Sequence, residues 1–421
     1  MFKYVFFIVI FSFNFLAFGQ DCQISSTKGY VKSQTVPEFS DEQTTNWART
    51  AEIIAHTKNL KSQDFDLFYE MASPYDPNKE TIFIAGGFYP WVNLQFVTKG
   101  SLSDLAVKYN VFEIHWRGTG CSELPLGLAP ELFTHEMLAY DLERVRLHLG
   151  IKKINSWSSS NGSFLMLMYS VLYPKSTGQI FLRDTAIYIP TLLESSKNFE
   201  NNILVDYLNQ PEFASFDYNT KFQFIKSKDI VSYNILLKSF GTIFFRKEQQ
   251  RTLMLEVLEA AFILIQADNS STLKTEITEP LLDSLNRVET WSHAELSNYC
   301  ASTLSEDFST INPDQVYVVD YVYHRCLPFQ LKYKANLLSQ LDFRGSLKNA
   351  HNFFVYQGYW DEYLYKELAA SIATENKGSV LFIDKNIGHG EINQRSFSCF
   401  ATILLTFFDD PASKVYLNYC K

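Results

Sequence analysis

Ser160 stands in the run Ser158-Ser159-Ser160-Asn161-Gly162, where an extended stretch from Ile154 turns into the apolar segment Phe164-Leu-Met-Leu-Met-Tyr169. A serine at a tight strand-to-helix turn can lift its hydroxyl above a sheet edge. The backbone N–H groups that open the helix then face any oxyanion formed there. Such a serine needs a base, and the base needs a carboxylate to orient it. Two later segments supply both. The strand-like run Asn352-Phe-Phe-Val-Tyr356 leads to Asp361, and Ser379-Val-Leu-Phe-Ile383 leads to Gly388-His389-Gly390. Serine, acid and histidine thus follow one another along the chain, the last two at consecutive strand exits, in the order suited to nucleophilic acyl transfer. The two glycines beside His389 leave its ring free to project.

The elements that must hold these residues alternate. Strands are predicted over 66–72, 81–85, 111–115, the stretch before Ser160, 179–183, 352–356 and 379–383. Helical periodicity marks Glu136 to Leu149 (Leu138, Leu142, Val145 and Leu149 on one face), the segment from Ser160 to Pro174, Glu362 to Ile372, and Phe397 to Phe408. Alternation of this kind implies an α/β protein with a mostly parallel sheet flanked by helices. From about 190 to 345 strand signals are sparse and helical patterns dominate, most clearly over Lys247 to Gln266. The expected division is a sheet region at 20–189 and 346–421 with a helical cap inserted at 190–345; a separate helical domain is the alternative.

The N-terminus looks like an export signal: Lys3 carries charge, Tyr4 to Leu16 is apolar, and Ala17-Phe18-Gly19 forms a small-x-small cleavage site. Residues 1–19 are therefore expected to be removed, leaving a secreted or periplasmic chain that starts at Gln20. Asp21 before Cys22 disfavours a lipid anchor, and no later stretch reaches spanning length, so no stable membrane insertion is expected. Six cysteines suit an oxidising compartment. Of the 15 pairings they allow, Cys399–Cys420, Cys300–Cys326 and, by elimination, Cys22–Cys121 are preferred. No C-x-x-C spacing appears, so a zinc or redox site is not expected, and no cofactor is required. A formal charge of −9 without a basic run argues against nucleic acid as a partner. Oligomeric state is left open.

With these elements in place, the chain resembles the α/β-hydrolase peptidases of the proline iminopeptidase and tripeptidyl aminopeptidase group. Arg117-Gly-Thr-Gly-Cys-Ser122 is similar to that group's R-G-T-G-x-S. Asp141-Leu-Glu-Arg-Val-Arg-Leu-His-Leu-Gly150 is similar to its helix ending in L-R-x-x-L-G. Ser160 to Pro174 matches the spacing of its nucleophile helix, and the tail from Gly388-His389-Gly390 to Cys420 resembles secreted members. The resemblance covers roughly 60–190 and 345–421. It implies an α/β-hydrolase fold with Ser160 as nucleophile, Asp361 as orienting acid and His389 as general base. It further implies oxyanion donors at the backbone N–H groups of Asn161 and Gly87. Three positions depart from the group: Phe88 stands where it has proline, His115 where it has aspartate, and Ser158 where its elbow has glycine, adding a hydroxymethyl at a crowded turn.

The resemblance implies a secreted serine exopeptidase acting on peptide N-termini, with carboxylates near the site to hold the substrate ammonium. The insertion contains acidic residues, among them Glu194, Glu200, Asp206 and Glu212, and none is singled out. A hydrolase of small acyl esters on the same scaffold, or a non-catalytic binding protein derived from it, are the alternatives. The substrate is then a peptide or a small acyl compound.

Overall fold

The computed structural model describes residues 21–86, 94, 97, 102–124, 128–213, 215–243, 248–281, 300, 305–312, 315–316, 320–333, 337–347, 353–361, 363–376, 378–385, 387–389 and 394–410. The export segment, Gly87, Phe88 and Cys420 lie outside these residues.

Eight strands form one sheet: β1 Lys28–Gln34, β2 Asp64–Met71, β3 Thr81–Ala85, β4 Asn110–Ile114, β5 Ile154–Ser159, β6 Thr177–Arg183, β7 Phe353–Gly358 and β8 Val380–Asp384. Their order is β1-β2-β4-β3-β5-β6-β7-β8. β1 and β2 join antiparallel, β2 meets β4 antiparallel, and every later pairing is parallel. The carboxyl ends of β3, β5, β6, β7 and β8 therefore share one edge, where the loops of such sheets carry sites.

Both faces of the central sheet are covered, which is why strands such as β3 and β7 read as nearly continuous apolar runs. Along β3, Phe83 and Ala85 join one core with Leu138, Leu142, Leu165, Met168 and Ala369. Ile82 and Ile84 point the other way, into a core with Leu105, Phe400, Leu404 and Phe407. Phe181 divides from Ile180 and Leu182 on β6 in the same manner, as Phe354 does from Phe353 and Val355 on β7. Helices His135–His148, Asn161–Leu172 and Lys366–Glu375 pack on the first face; Ser103–Lys108 and Gln394–Asp409 pack on the second.

Two features depart from the sequence reading. β1 was not expected, because its inward positions are not uniformly apolar. Ser33 faces inward beside Val31 and donates to Asp141 Oδ1 at 2.6 Å, so a polar network breaks the alternation. The helix expected to begin at Glu362 begins at Lys366 instead. Asp361 Oδ1 accepts from the N–H groups of Tyr363 (3.1 Å) and Leu364 (2.7 Å), which folds those residues into a turn first.

The described residues between Leu192 and Phe329 are mostly helical and bury a second apolar cluster of their own, including Tyr207, Phe222, Leu237, Leu258 and Phe308. The chain leaves the sheet and returns through one neck. Ile189 N–H donates to Leu341 O (3.0 Å) and Phe343 N–H to Ile187 O (2.8 Å). Trp360, Tyr363 and Tyr365, just past β7, pack against the helical cluster. Cys300 and Cys326 are bonded inside it, and Cys22 is bonded to Cys121, both as preferred from the sequence. Cys399 is also disulfide-bonded. Among the described residues, no helix is long and apolar enough to cross a membrane.

Candidate active site

β5 ends at Ser159, and Ser160 turns the chain into the helix Asn161–Leu172 with φ 50° and ψ −124°, a conformation that costs a non-glycine residue about 1–3 kcal/mol. Neighbouring strands hold that turn. The Arg183 carbonyl at the end of β6 accepts from Ser160 N–H (2.9 Å) and from Ser163 Oγ (3.0 Å). On the other side the helix presses on the end of β3: a β-carbon at Gly162 would stand 2.3 Å from Gly86 O and 2.4 Å from Ala85 O. Glycine at 162 is thus imposed by the close approach of two backbones.

Position 158 is under no such demand. Ser158 is fully buried, and its hydroxyl donates to Phe181 O at 3.3 Å. The hydroxymethyl expected to crowd the elbow is accommodated, because its polar atom finds an acceptor on β6. His115, the second departure, is buried and accepts from Cys121 N–H through Nδ1 at 2.9 Å. Burial, with the Lys28 charge, pushes its imidazole down to about 4, so it is neutral and can serve as that acceptor. Next to it, Arg117 is held by the Asp141 carboxylate (Nε to Oδ2 2.7 Å, a terminal nitrogen to Oδ1 2.8 Å) and by the carbonyls of Thr35, Leu132 and Gln34. Two of the sequence motifs that carried the family resemblance therefore meet in one fully buried ion pair that fixes the loop after β4.

The three chemistry-bearing side chains converge although 229 residues of chain separate the first from the last. Ser160 Oγ lies 2.9 Å from His389 Nε2, and His389 Nδ1 lies 2.9 Å from Asp361 Oδ2. Asp361 is fully buried with both oxygens satisfied: Oδ1 by Tyr363 and Leu364, Oδ2 by His389 and by Gln357 Nε2 at 2.7 Å. Gln357 is anchored in turn by Thr185 N–H and the Leu364 carbonyl. With its second oxygen shared this way, Asp361 accepts Nδ1–H and leaves Nε2 as an acceptor for the serine hydroxyl. Burial alone would push the His389 imidazole down. The Asp361 charge and hydrogen bond, aided by the Asp184 charge and opposed by Arg183, outweigh it and hold the value above 6.5.

Asn161 is buried beside the nucleophile, and none of the described residues accepts a hydrogen bond from its N–H. Gly87, the other expected oxyanion donor, lies outside the described residues.

Of the four acidic residues noted in the insertion, Glu194 alone meets the loops of the site. Its Oε1 accepts from Tyr188 Oη (2.7 Å) and Tyr365 Oη (3.5 Å). Glu200 is engaged by Lys226 and Tyr233, while Asp206 and Glu212 are exposed. Glu306, which the sequence did not flag, accepts from Leu192 N–H at 3.0 Å. Burial and the nearby Glu194 charge, opposed by that N–H, push its carboxyl up to about 7. Gln357, Asp184 and His135 were likewise unflagged, since nothing local in the sequence marks them.

One grouping of potential metal ligands occurs among the described residues, Glu70, Glu113 and His115. Lys28 pairs with Glu70 at 3.5 Å and His115 Nδ1 is already taken, so the group reads as an internally balanced cluster.

Residues 81–257 match the family described as alpha/beta hydrolase fold. The chain matches no curated protein. Similar solved structures include MGS-M2, an α/β-hydrolase enzyme from a Medee basin deep-sea metagenome library, at 15% identity over 82% of this chain and 95% of that one (TM-score 0.45). A proline iminopeptidase from Mycobacterium smegmatis is similar at 12% identity over 82% and 95% (TM-score 0.46). The esterase EaEST from Exiguobacterium antarcticum is similar at 14% over 82% and 96% (TM-score 0.42). The eight-stranded, mostly parallel sheet flanked by helices is an α/β-hydrolase fold.

Proposed function

We propose that this α/β-hydrolase fold carries a secreted serine hydrolase, and that it is an exopeptidase releasing residues or short peptides from peptide N-termini. The unbroken chain Ser160 Oγ, His389, Asp361, with both contacts at 2.9 Å, is the observation that carries the hydrolase reading. His389 Nε2 takes the Ser160 proton as Oγ attacks the substrate carbonyl, and the oxyanion forms against the N–H groups of Asn161 and Gly87. The C–N bond then breaks, the leaving amine takes the proton from His389, and water hydrolyses the acyl-serine by the same steps in reverse. Asp361 stabilises the imidazolium throughout.

The peptidase reading rests on the family resemblance and on Glu194 with Glu306. These carboxyls sit in the inserted segment, which we take to be a cap, Glu194 in the helix Leu192–Asn198 and Glu306 in a bend; Glu194 is tied by tyrosines to the loops after β6 and β7. A carboxylate so placed suits a free ammonium. The disulfides Cys22–Cys121 and Cys300–Cys326 support an oxidising compartment.

A panel of aminoacyl and tripeptidyl chromogenic amides, each with its amine free or acetylated, tests the substrate class alongside short acyl esters. Cleavage of the free-amine amides and loss of turnover on acetylation is the expected result. Turnover of esters alone would overturn the peptidase reading and leave the hydrolase.

A further inference from the structure

We propose that His135 is a positioning residue for Asn161, holding the peptide whose N–H receives the oxyanion; this rests on the hydrolase reading of Ser160. His135 opens the helix His135–His148, is almost completely buried, and places Nε2 2.8 Å from Asn161 Oδ1. The residue so gripped is the one directly after the nucleophile, and the grip completes a three-sided clamp on the first helical turn. β3 confines Gly162, and the end of β6 holds Ser160 and Ser163. Phe164 meets the His135 ring edge-on, with ring centroids 6.2 Å apart.

His135 Nδ1 and Asn161 Nδ2 are both buried without a hydrogen-bond partner among the described residues. Removing either member deprives a buried polar group of its side-chain partner. Direction matters too. Burial pushes the His135 imidazole down to about 4; Glu136 and the Asn161 bond pull against this, and Arg49 adds to it. A neutral ring with its proton on Nε2 donates to Oδ1, which fixes the amide's orientation. Arg49 and Glu136 form the surrounding pair, with Glu136 Oε1 also accepting from Trp47 Nε1 at 2.8 Å.

A histidine buried for packing alone would support the fold without regard to the oxyanion. A positioning histidine acts on the step in which the oxyanion forms, so its loss falls on kcat and not on KM. The test uses the full chain and compares His135→Leu, His135→Gln, Asn161→Ala and the double variant His135→Leu/Asn161→Ala, with Asn161→Ala keeping the backbone N–H. Each is measured for kcat and KM on the best substrate of the panel, for the rate of fluorophosphonate labelling, and for thermal unfolding. We expect His135→Leu and Asn161→Ala each to lower kcat and the labelling rate by about tenfold to a hundredfold, with KM within about twofold. The double variant should be no slower than the worse single, and His135→Gln, whose amide can reach the same oxygen, should recover most of the loss. Wild-type kcat in folded His135→Leu or in Asn161→Ala overturns the proposal, as does an additive double variant or failure of glutamine to rescue. If His135→Leu does not fold, Asn161→Ala and His135→Gln decide by the same criteria. An unlabelled wild-type protein overturns the hydrolase reading, and this proposal with it.

Discussion

Gly358, the last residue of β7, lies against the backbone of Gly388: a β-carbon there would stand 2.7 Å from the Gly388 carbonyl oxygen and 2.9 Å from that of Ile387. The loop that delivers His389 is therefore seated on the strand that delivers Asp361. Two backbone hydrogen bonds complete the seat, from Tyr359 N–H to Asp384 O (2.9 Å) and from Trp360 N–H to Ile387 O (3.1 Å). Acid and base hold their distance because their two loops are one packed unit.

Gly358→Ala should accordingly damage the site more than the fold. The added methyl meets backbone, which cannot swing away, so the loop must shift and carry His389 with it. We expect a stability loss of about 1–3 kcal/mol and a fall in kcat of about a hundredfold, since displacements near 1 Å cost that much. Thermal unfolding and steady-state kinetics measure both; wild-type kinetics would show that the seat does not set the geometry.

The pH profile follows from His389. General-base action needs the neutral imidazole, and its value is held above 6.5, so kcat/KM should fall on the acid side with a midpoint above pH 6.5. Asp361→Asn removes the main influence raising it and leaves burial in control. The midpoint should then move down, and kcat should fall by about 10⁴ as the ring loses its orientation. The raised value also links to stability: the His389 contribution is complete below pH 6.5 and is lost as pH rises through the folded value. A midpoint unchanged in Asp361→Asn would contradict this account.

Ser158→Gly restores the glycine that the related elbow pattern has, yet little should be gained. Ser158 fits between β5 and β6 with its hydroxyl on Phe181 O. Turnover should stay within a few-fold of wild type, while glycine in a strand interior costs about 0.5–1 kcal/mol. A large rise in kcat would mean that serine at 158 does strain the elbow.

The sheet was legible in the sequence because its strands are covered on both faces. Apolar runs such as 81–85 and 352–356 have no other use, and the motif residues fall just past them. β1 was hidden by Ser33, whose inward hydroxyl serves Asp141. Ser160, Asp361 and His389 stood out by chain order and by the glycines around them. Gln357, Asp184 and His135 act through contacts that only the tertiary fold creates: Gln357 meets Thr185 across 172 residues, and no local spacing encodes that. The glycine at 162 was legible as a turn residue, but its cause, the β3 backbone pressed against it, was not.

Fluorophosphonate labelling of the wild-type protein and of Ser160→Ala, with the labelled residue identified by mass spectrometry, tests the central claim most directly. The Ser160–His389–Asp361 arrangement predicts one adduct, on Ser160, absent from the alanine variant. An adduct that persists in Ser160→Ala, for example on Ser158, or a wild-type protein that takes no label, would contradict it.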